Sequence, residues 1–375
     1  MIYFNKPWVT EKEEAYMIDC LHNSKLSGDG KYTKKVLAQF KERFGIDRLL
    51  LTTSGTDALE LAFLTAGITY GDEVITPSFT FSSTVNAFIR TGAIPIFCDI
   101  RPDTMNIDEN LLEPLITKKT KAIVVIDYAG FPCEMDTIMA IAKKYNLLVV
   151  EDAAQSVGST YKGRACGTLA DYGCFSFHET KNFCMGEGGA TVFRNDKDLE
   201  LAEIIREKGT NRKQVLRGLV DKYTWHAVGS SFLPSDLLAA LLAAQMDRYD
   251  EIFQRRMNVW DIYYQQLQPL ENDGRLKLPV IPMETTHNAH MFNVQLPDAK
   301  TRSHLMDWLR EKDIIAYICY VPLHSSPFGR KLGYRPEDCP ITEDIASRTL
   351  RLPLYAQMTT EDAEFVVDNI KAALA

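Results

Sequence analysis

The sequence predicts an α/β protein, with a large domain built on a mostly parallel seven-stranded sheet and a smaller α/β domain toward the C-terminus. Three observations carry this prediction. Short apolar runs alternate with helix-periodic stretches from Leu49 to about Ala202, the pattern of strands joined by crossover helices. The polar residues with chemical potential follow or end those runs, and ligands of parallel sheets gather at the carboxyl ends of strands. The 375 residues also exceed what a single hydrophobic core usually takes, so the chain is expected to divide into residues 1–245 and 246–375.

Strands are predicted near 49–53, 73–76, 94–98, 122–126, 147–151, 173–177 and 190–194. The first runs through Ser54-Gly55-Thr56 into a helix carrying Leu61, Ala62 and Ala66. Helix N-termini present unpaired N–H groups and a positive dipole end. Gly55 permits close backbone approach, and Ser54 and Thr56 add hydroxyls, so the segment suits a phosphate as well as ordinary capping. The second strand ends in Pro77-Ser78-Phe79-Thr80-Phe81, which places Phe79 either against a flat ligand ring or in the core. The fifth ends in Glu151-Asp152 before Ala153-Ala154-Gln155, where Asp152 also reads as a helix N-cap. The sixth carries Cys174-Phe175-Ser176-Phe177 into His178-Glu179-Thr180-Lys181, and Gly186-Glu187-Gly188-Gly189 opens the seventh. Lys181 therefore lies in a tight crossing between two buried strands.

Lys181 and Asp152 together point to pyridoxal phosphate. A lysine amine binds the cofactor's aldehyde, and a carboxylate at the end of a buried strand keeps the pyridinium nitrogen protonated. Ser54, Gly55, Thr56 and Ser176 are then candidates for its phosphate. Beyond this region, residues 235–268 read as one long helical stretch that Pro269 and Gly274 interrupt. Residues 289–294 and 314–320 read as small-domain strands around a helix at 302–312. His290, Tyr320 and His324 read first as hydrogen-bonded structural residues. His178 is not assigned to catalysis, because Lys181 can itself carry the proton.

Composition limits the function classes. A net charge of −8 disfavours a nucleic-acid surface or a polybasic membrane patch. Against that background Lys208, Arg212, Lys213, Arg217 and Lys222 form a local basic cluster, a candidate for an anionic substrate or simply a solvated face. The eight cysteines show no C-x-x-C pair and no zinc spacing, which implies reduced thiols and no metal. No apolar run reaches membrane-spanning length and no leader pattern opens the chain, so the expected compartment is the cytoplasm.

Over nearly its whole length the chain resembles the DegT/StrS family of sugar-nucleotide aminotransferases, of the fold type I, aspartate aminotransferase-like architecture. The resemblance rests on Phe97–Asp108, His178-Glu179-Thr180-Lys181-Asn182, Ile205–Arg212 and Val220–Trp225, and is strongest to the branch that makes 4-amino-4,6-dideoxygalactose. It implies that Lys181 binds the cofactor covalently, Asp152 partners the pyridinium, Gln155 contacts the phenolic oxygen, and Phe79 stacks on the ring. Gly55, Thr56 and Ser176 fall on phosphate positions, and His324 falls on a motif near the active-site side of the small domain. It also implies L-glutamate as amino donor, a dTDP-linked 4-keto-6-deoxy sugar as acceptor, and a homodimer with shared active sites. Lys208, Arg212 and Lys222 become candidates for the diphosphate. Two positions depart from the wider family: Gly229-Ser230-Ser231 stands for Gly-x-Asn, with Ser231 at the cross-subunit phosphate position, and Phe79 replaces a common Tyr. Other readings are weaker. A sugar dehydratase of this fold would carry His at the Lys181 position, a dinucleotide oxidoreductase would carry G-x-G-x-x-G, and a regulatory protein would bind the cofactor without turnover.

Overall fold

The computed structural model describes residues 1–23 and 25–375. The apolar runs form β1 (Leu49–Thr52), β2 (Glu73–Pro77), β3 (Ile94–Cys98), β4 (Thr120–Ile126) and β5 (Leu148–Asp152). Two short strands follow, β6 (Thr160–Tyr161) and β7 (Arg164–Ala165), before β8 (Tyr172–Ser176) and β9 (Gly189–Phe193). The main sheet has the order β1-β9-β8-β5-β4-β2-β3. Neighbours are parallel from β8 through β5, β4 and β2 to β3, while β9 runs antiparallel between β8 and β1. Every residue of β1, β8 and β9 is buried, which is why these strands read as continuous apolar runs and not as alternating ones.

The reversed strand matters for the site. The connection from β8 to β9 contains Lys181, and its two arms are joined by Phe177 N–H donating to Gly188 O at 2.8 Å and Met185 N–H to Phe177 O at 2.9 Å. The carboxyl ends of β1, β2, β5 and β8 thus face one region, as the strand-end argument predicts.

The C-terminal part contains β10 (Thr285–Thr286), which joins β6 and β7, and an antiparallel sheet of β11 (Phe292–Gln295), β12 (Tyr317–Ile318) and β13 (Thr349–Leu352) in the order β11-β13-β12. The sequence reading located the first two strands of this sheet but not β13, whose central Arg351 interrupts an otherwise apolar run. The expected long helix is two helices, Asp236–Asp247 and Tyr249–Asn272, divided at Arg248. Pro269 sits inside the last turn of the second and does not end it. Trp260, Tyr263, Leu267 and Leu270 of that helix pack with Phe292, Val294, Leu350 and Leu352 in one core.

The N-terminal residues pair with this C-terminal part. Ile2 N–H donates to Asp313 O at 2.8 Å, Ile315 N–H to Ile2 O at 3.0 Å, and Leu354 N–H to Phe4 O at 3.2 Å. Phe4 and Asn5 are thereby brought to the gap between the two sheets. Among the described residues no helix is long and apolar enough to cross a membrane. All eight cysteines are buried and free.

Candidate active site

A cavity of about 740 Å³ opens at the carboxyl ends of the main sheet, between it and the small antiparallel sheet. Ser54, Gly55, Thr56, Asp152, Gln155, Ser176 and Lys181, separated by up to 127 positions in sequence, all line it. Strand topology makes this possible: each follows or ends β1, β5 or β8, which run in the same direction, β1 and β8 being antiparallel to β9 between them.

Ser54 caps the helix Gly55–Thr65, its side chain accepting from Asp57 N–H at 3.0 Å. The first helical N–H groups, those of Gly55 and Thr56, have no preceding turn to bond and remain donors toward the cavity. Thr56 Oγ1 lies 2.7 Å from Ser83 Oγ, a cavity residue that the sequence reading did not single out. Glycine is required at the helix start, because a Cβ on Gly55 would lie 2.8 Å from Ser176 Cβ and 3.0 Å from Ser176 Oγ. The backbone therefore approaches Ser176 closely and forms an anion cradle of N–H groups and hydroxyls.

Asp152 ends β5 but caps no helix, since a turn follows it. Thr84 Oγ1 donates to Asp152 Oδ2 at 2.7 Å and Ala154 N–H to Asp152 Oδ1 at 3.2 Å. Burial raises its pKa, opposed by these two donors and by the charge of Lys181. A buried carboxylate held in this way gains from a cationic partner in the cavity.

Lys181 Nζ makes no hydrogen bond or ion pair among the described residues, and its side chain reaches the cavity. Burial lowers its pKa to about 8, with Asp152 pulling upward and Arg351 pushing further down. A substantial share of the amine is therefore unprotonated in mildly alkaline solution, as a nucleophile or base requires.

Gln155 is fixed at both ends. Its Oε1 accepts from Ala129 N–H at 2.7 Å and its Nε2 donates to Tyr320 OH at 2.7 Å, which holds a second phenol at the cavity wall. His290 is neutral, its pKa pushed far down by burial and by the charges of Lys181, Arg256 and Arg351. Its Nδ1 lies 3.0 Å from Asn182 Oδ1, and Asn182 Nδ2 donates to Asn288 O at 2.7 Å. With the amide oxygen left as acceptor, His290 carries its proton on Nδ1. His178 lines the cavity mouth with Glu187 at 3.5 Å from its Nε2.

Several of the expected residues lie away from this cavity. Phe79 does not face the cavity. It is fully buried against Tyr128, with ring centroids 5.1 Å apart, because the turn after β2 directs it into the core, and Phe81 two residues later lines the cavity instead. His324 is also outside the cavity and completely buried. Its backbone N–H donates to Ser78 Oγ at 3.0 Å, Ser78 Oγ lies 2.6 Å from Nδ1, and Nε2 lies 3.3 Å from Pro336 O. It ties the turn after β2 to the C-terminal part. The basic cluster lies off this cavity as well: Lys208, Arg212 and Lys222 are exposed and line none of it. Arg212 pairs with Glu207 at 3.2 Å, while Lys213 and Arg217 both reach Glu203, at 2.9 and 2.8 Å. Ser231 is exposed and bridges to Glu207. Sequence reading also missed Thr84, which orients Asp152, and Arg351. Neither has a motif around it that marks a ligand.

Deeper in the sheet, Asp127, Glu151 and Cys166 bring ligand atoms within 4.8 Å of one another. Glu151 accepts from Gly167 N–H at 2.6 Å and Leu169 N–H at 2.9 Å, and Ser156 Oγ donates to Asp127 at 2.7 Å. Burial pushes both carboxyl pKa values up, that of Asp127 to about 6, and the hydrogen bonds of the pair fasten loops behind the site.

Comparison with known proteins finds relatives over nearly the whole chain. The chain is 33% identical to GDP-perosamine synthase of Escherichia coli O157:H7, covering 97% of this chain and 96% of that protein. It is 34% identical to the spore coat polysaccharide biosynthesis protein SpsC of Bacillus subtilis, covering 98% and 96%. Among solved structures, Spr1654 from Streptococcus pneumoniae, designated a sugar aminotransferase, superposes in its PLP form with a TM-score of 0.90 at 26% identity, covering 100% of this chain and 98% of that one. Residues 7–371 match the model of one family, and the chain accordingly belongs to the DegT/DnrJ/EryC1/StrS aminotransferase family.

Proposed function

We propose that this sugar aminotransferase moves the amino group of L-glutamate to C4 of dTDP-4-dehydro-6-deoxy-D-glucose. The products are dTDP-4-amino-4,6-dideoxy-D-galactose, for surface polysaccharide synthesis, and 2-oxoglutarate. The observation that carries the aminotransferase chemistry is one cavity holding a lysine with a pKa near 8, a buried carboxylate and an open helix N-terminus. These suit the aldehyde, ring nitrogen and phosphate of pyridoxal phosphate, the cofactor of the family. The Gly55–Ser176 approach, too tight for any Cβ, supports the fit at the phosphate end.

When bound, pyridoxal phosphate supplies an electron-withdrawing ring that acidifies the carbon bearing an attached amino group. Asp152 keeps the proton on the ring nitrogen, and Thr84 and Ala154 N–H keep Asp152 in place. Gly55 and Thr56 N–H, with the Thr56, Ser83 and Ser176 hydroxyls, receive the phosphate. Lys181, as free amine, takes the α-proton of the amino acid and returns a proton to C4 of the sugar. The face from which it does so fixes the configuration at C4.

We assign residues 1–245 to the cofactor-binding domain and 246–375 to the smaller one. We further assign the protein to a homodimer in which Ser231, Lys208, Arg212 and Lys222 serve the neighbouring subunit's site, in keeping with their exposure outside this cavity. A second reading, a GDP-linked acceptor, is favoured by the 33% identity to GDP-perosamine synthase. Loading the enzyme with amine from L-glutamate and offering dTDP- and GDP-linked 4-keto-6-deoxy sugars separately tests the choice. Faster consumption of the GDP sugar would move the assignment.

A further inference from the structure

Arg351 is the unexplained charge in this cavity. It sits at the centre of β13 between Leu350 and Leu352, both buried in the core, so strand alternation turns its side chain to the other face. There it lines the cavity, where Lys181 is the other Lys or Arg side chain among the lining residues. Its Nε donates to Ile318 O at 3.0 Å, and its guanidinium lies 5.0 Å from the centroid of the Phe4 ring. Backbone and ring thus fix the plane of the group. No carboxylate among the described residues pairs with it, whereas Arg101, Arg206 and Arg248 each hold an acidic partner. Both Nη atoms remain as open donors, a fork matched to a planar dianionic or monoanionic oxygen pair.

Building on the aminotransferase reading, we propose that Arg351 anchors the α-carboxylate of the amino donor. An amino acid whose nitrogen takes the place of Lys181 has its carboxylate on the adjacent carbon, so the anchor must stand close to Lys181. Arg351 meets that condition: it lines the same cavity as Lys181, bonded to Ile318 O two residues before Tyr320, whose hydroxyl meets Gln155 on that wall, and its charge also acts on Lys181 and His290. The sugar's diphosphate is several bonds from C4 and calls for cations farther from the amine. The acceptor has no carboxylate at the reacting carbon, so the anchor serves one half-reaction and leaves the fork free in the other.

The test is Arg351→Gln in the holoenzyme, with Arg351→Lys beside it. With L-glutamate in rapid mixing, the concentration giving half-maximal conversion to the pyridoxamine form should rise roughly 100-fold for Gln and roughly 10-fold for Lys. Wild type should prefer glutamate over its α-amide, and the Gln variant should lose that preference. Enzyme loaded directly with pyridoxamine phosphate should react with the keto sugar within about threefold of wild type. Calorimetry should show glutarate, which has no amine, binding wild type and not the Gln variant. If Arg351→Gln does not retain cofactor, the Lys variant decides by the same readouts. Unchanged glutamate saturation and glutarate binding would overturn the anchor alone. A variant that spares glutamate and loses the sugar step would overturn it in favour of a diphosphate contact. Wild type that reacts with no amino acid would instead remove the aminotransferase reading itself.

Discussion

Gly55→Ala tests the phosphate cradle at its tightest point. The added Cβ would meet Ser176 Cβ at 2.8 Å, Ser176 Oγ at 3.0 Å and Ser176 Cα at 3.3 Å. Carbon atoms ordinarily pack at about 3.5–4.0 Å, so the helix start must withdraw from β8 by roughly 0.7 Å or more. Overpacking of this kind costs about 1–3 kcal/mol, and the withdrawal also stretches the N–H donors of Gly55 and Thr56. Hydrogen bonds to a charged group contribute about 1.5–3 kcal/mol each, so weakening one or two should loosen a phosphate ligand by roughly 10- to 100-fold. The assay is titration of the apoprotein with pyridoxamine phosphate, which forms no covalent bond to Lys181, against pyridoxamine without the phosphate. The loss should fall on the phosphorylated compound. An unchanged dissociation constant, or an equal loss for both compounds, would refute the assignment of the phosphate to this helix.

Other outcomes follow from the same geometry. Lys181→Ala should lower both half-reactions by about 10⁴-fold and remove the visible absorbance of the covalently bound cofactor; wild-type transamination by this variant would discard the central assignment. Asp152→Asn should still bind cofactor but react about 100-fold or more slowly, since a neutral amide does not hold a protonated ring nitrogen, and single-turnover absorbance measures this. In apoprotein, reaction of Lys181 with an amine-directed reagent should increase as pH rises through about 8, because only the deprotonated amine reacts. Asp152 raises that pKa, so Asp152→Asn should move the midpoint to lower pH; an upward movement would contradict the electrostatics. His324→Ala should reduce stability by about 2–4 kcal/mol in urea melts while leaving kcat intact, and a specific loss of kcat would return His324 to the active site.

How much of this was legible in the sequence depended on how local the signal was. The seven strands of the main sheet read clearly because each is a short, wholly or mostly buried apolar run. Lys181, Asp152 and Ser54-Gly55-Thr56 stood out because they end or follow such runs, and the structure brings them to one cavity. Phe79 and Phe81 were indistinguishable in sequence: both are aromatic, both follow β2, and only the three-dimensional path of the turn sends one to the core and the other to the cavity. His324 read first as a hydrogen-bonded structural residue, but its partners, Ser78 and Pro336, could not be named from sequence because one lies 246 positions away. Arg351 and Thr84 left no trace, since an arginine in a short strand or a threonine in a helix is ordinary until its neighbours are known. The basic run from Lys208 to Lys222 was read by charge alone, which hides the acidic partners Glu203 and Glu207 that the fold supplies.

The most direct test of the account follows the absorbance of the holoenzyme as L-glutamate and then dTDP-4-dehydro-6-deoxy-D-glucose are added, with the product's C4 configuration read by NMR. The account predicts conversion to the pyridoxamine form, reversal by the sugar, and an axial amine in the product. An enzyme whose cofactor responds to neither compound would contradict it, and an equatorial amine would contradict the galactose assignment.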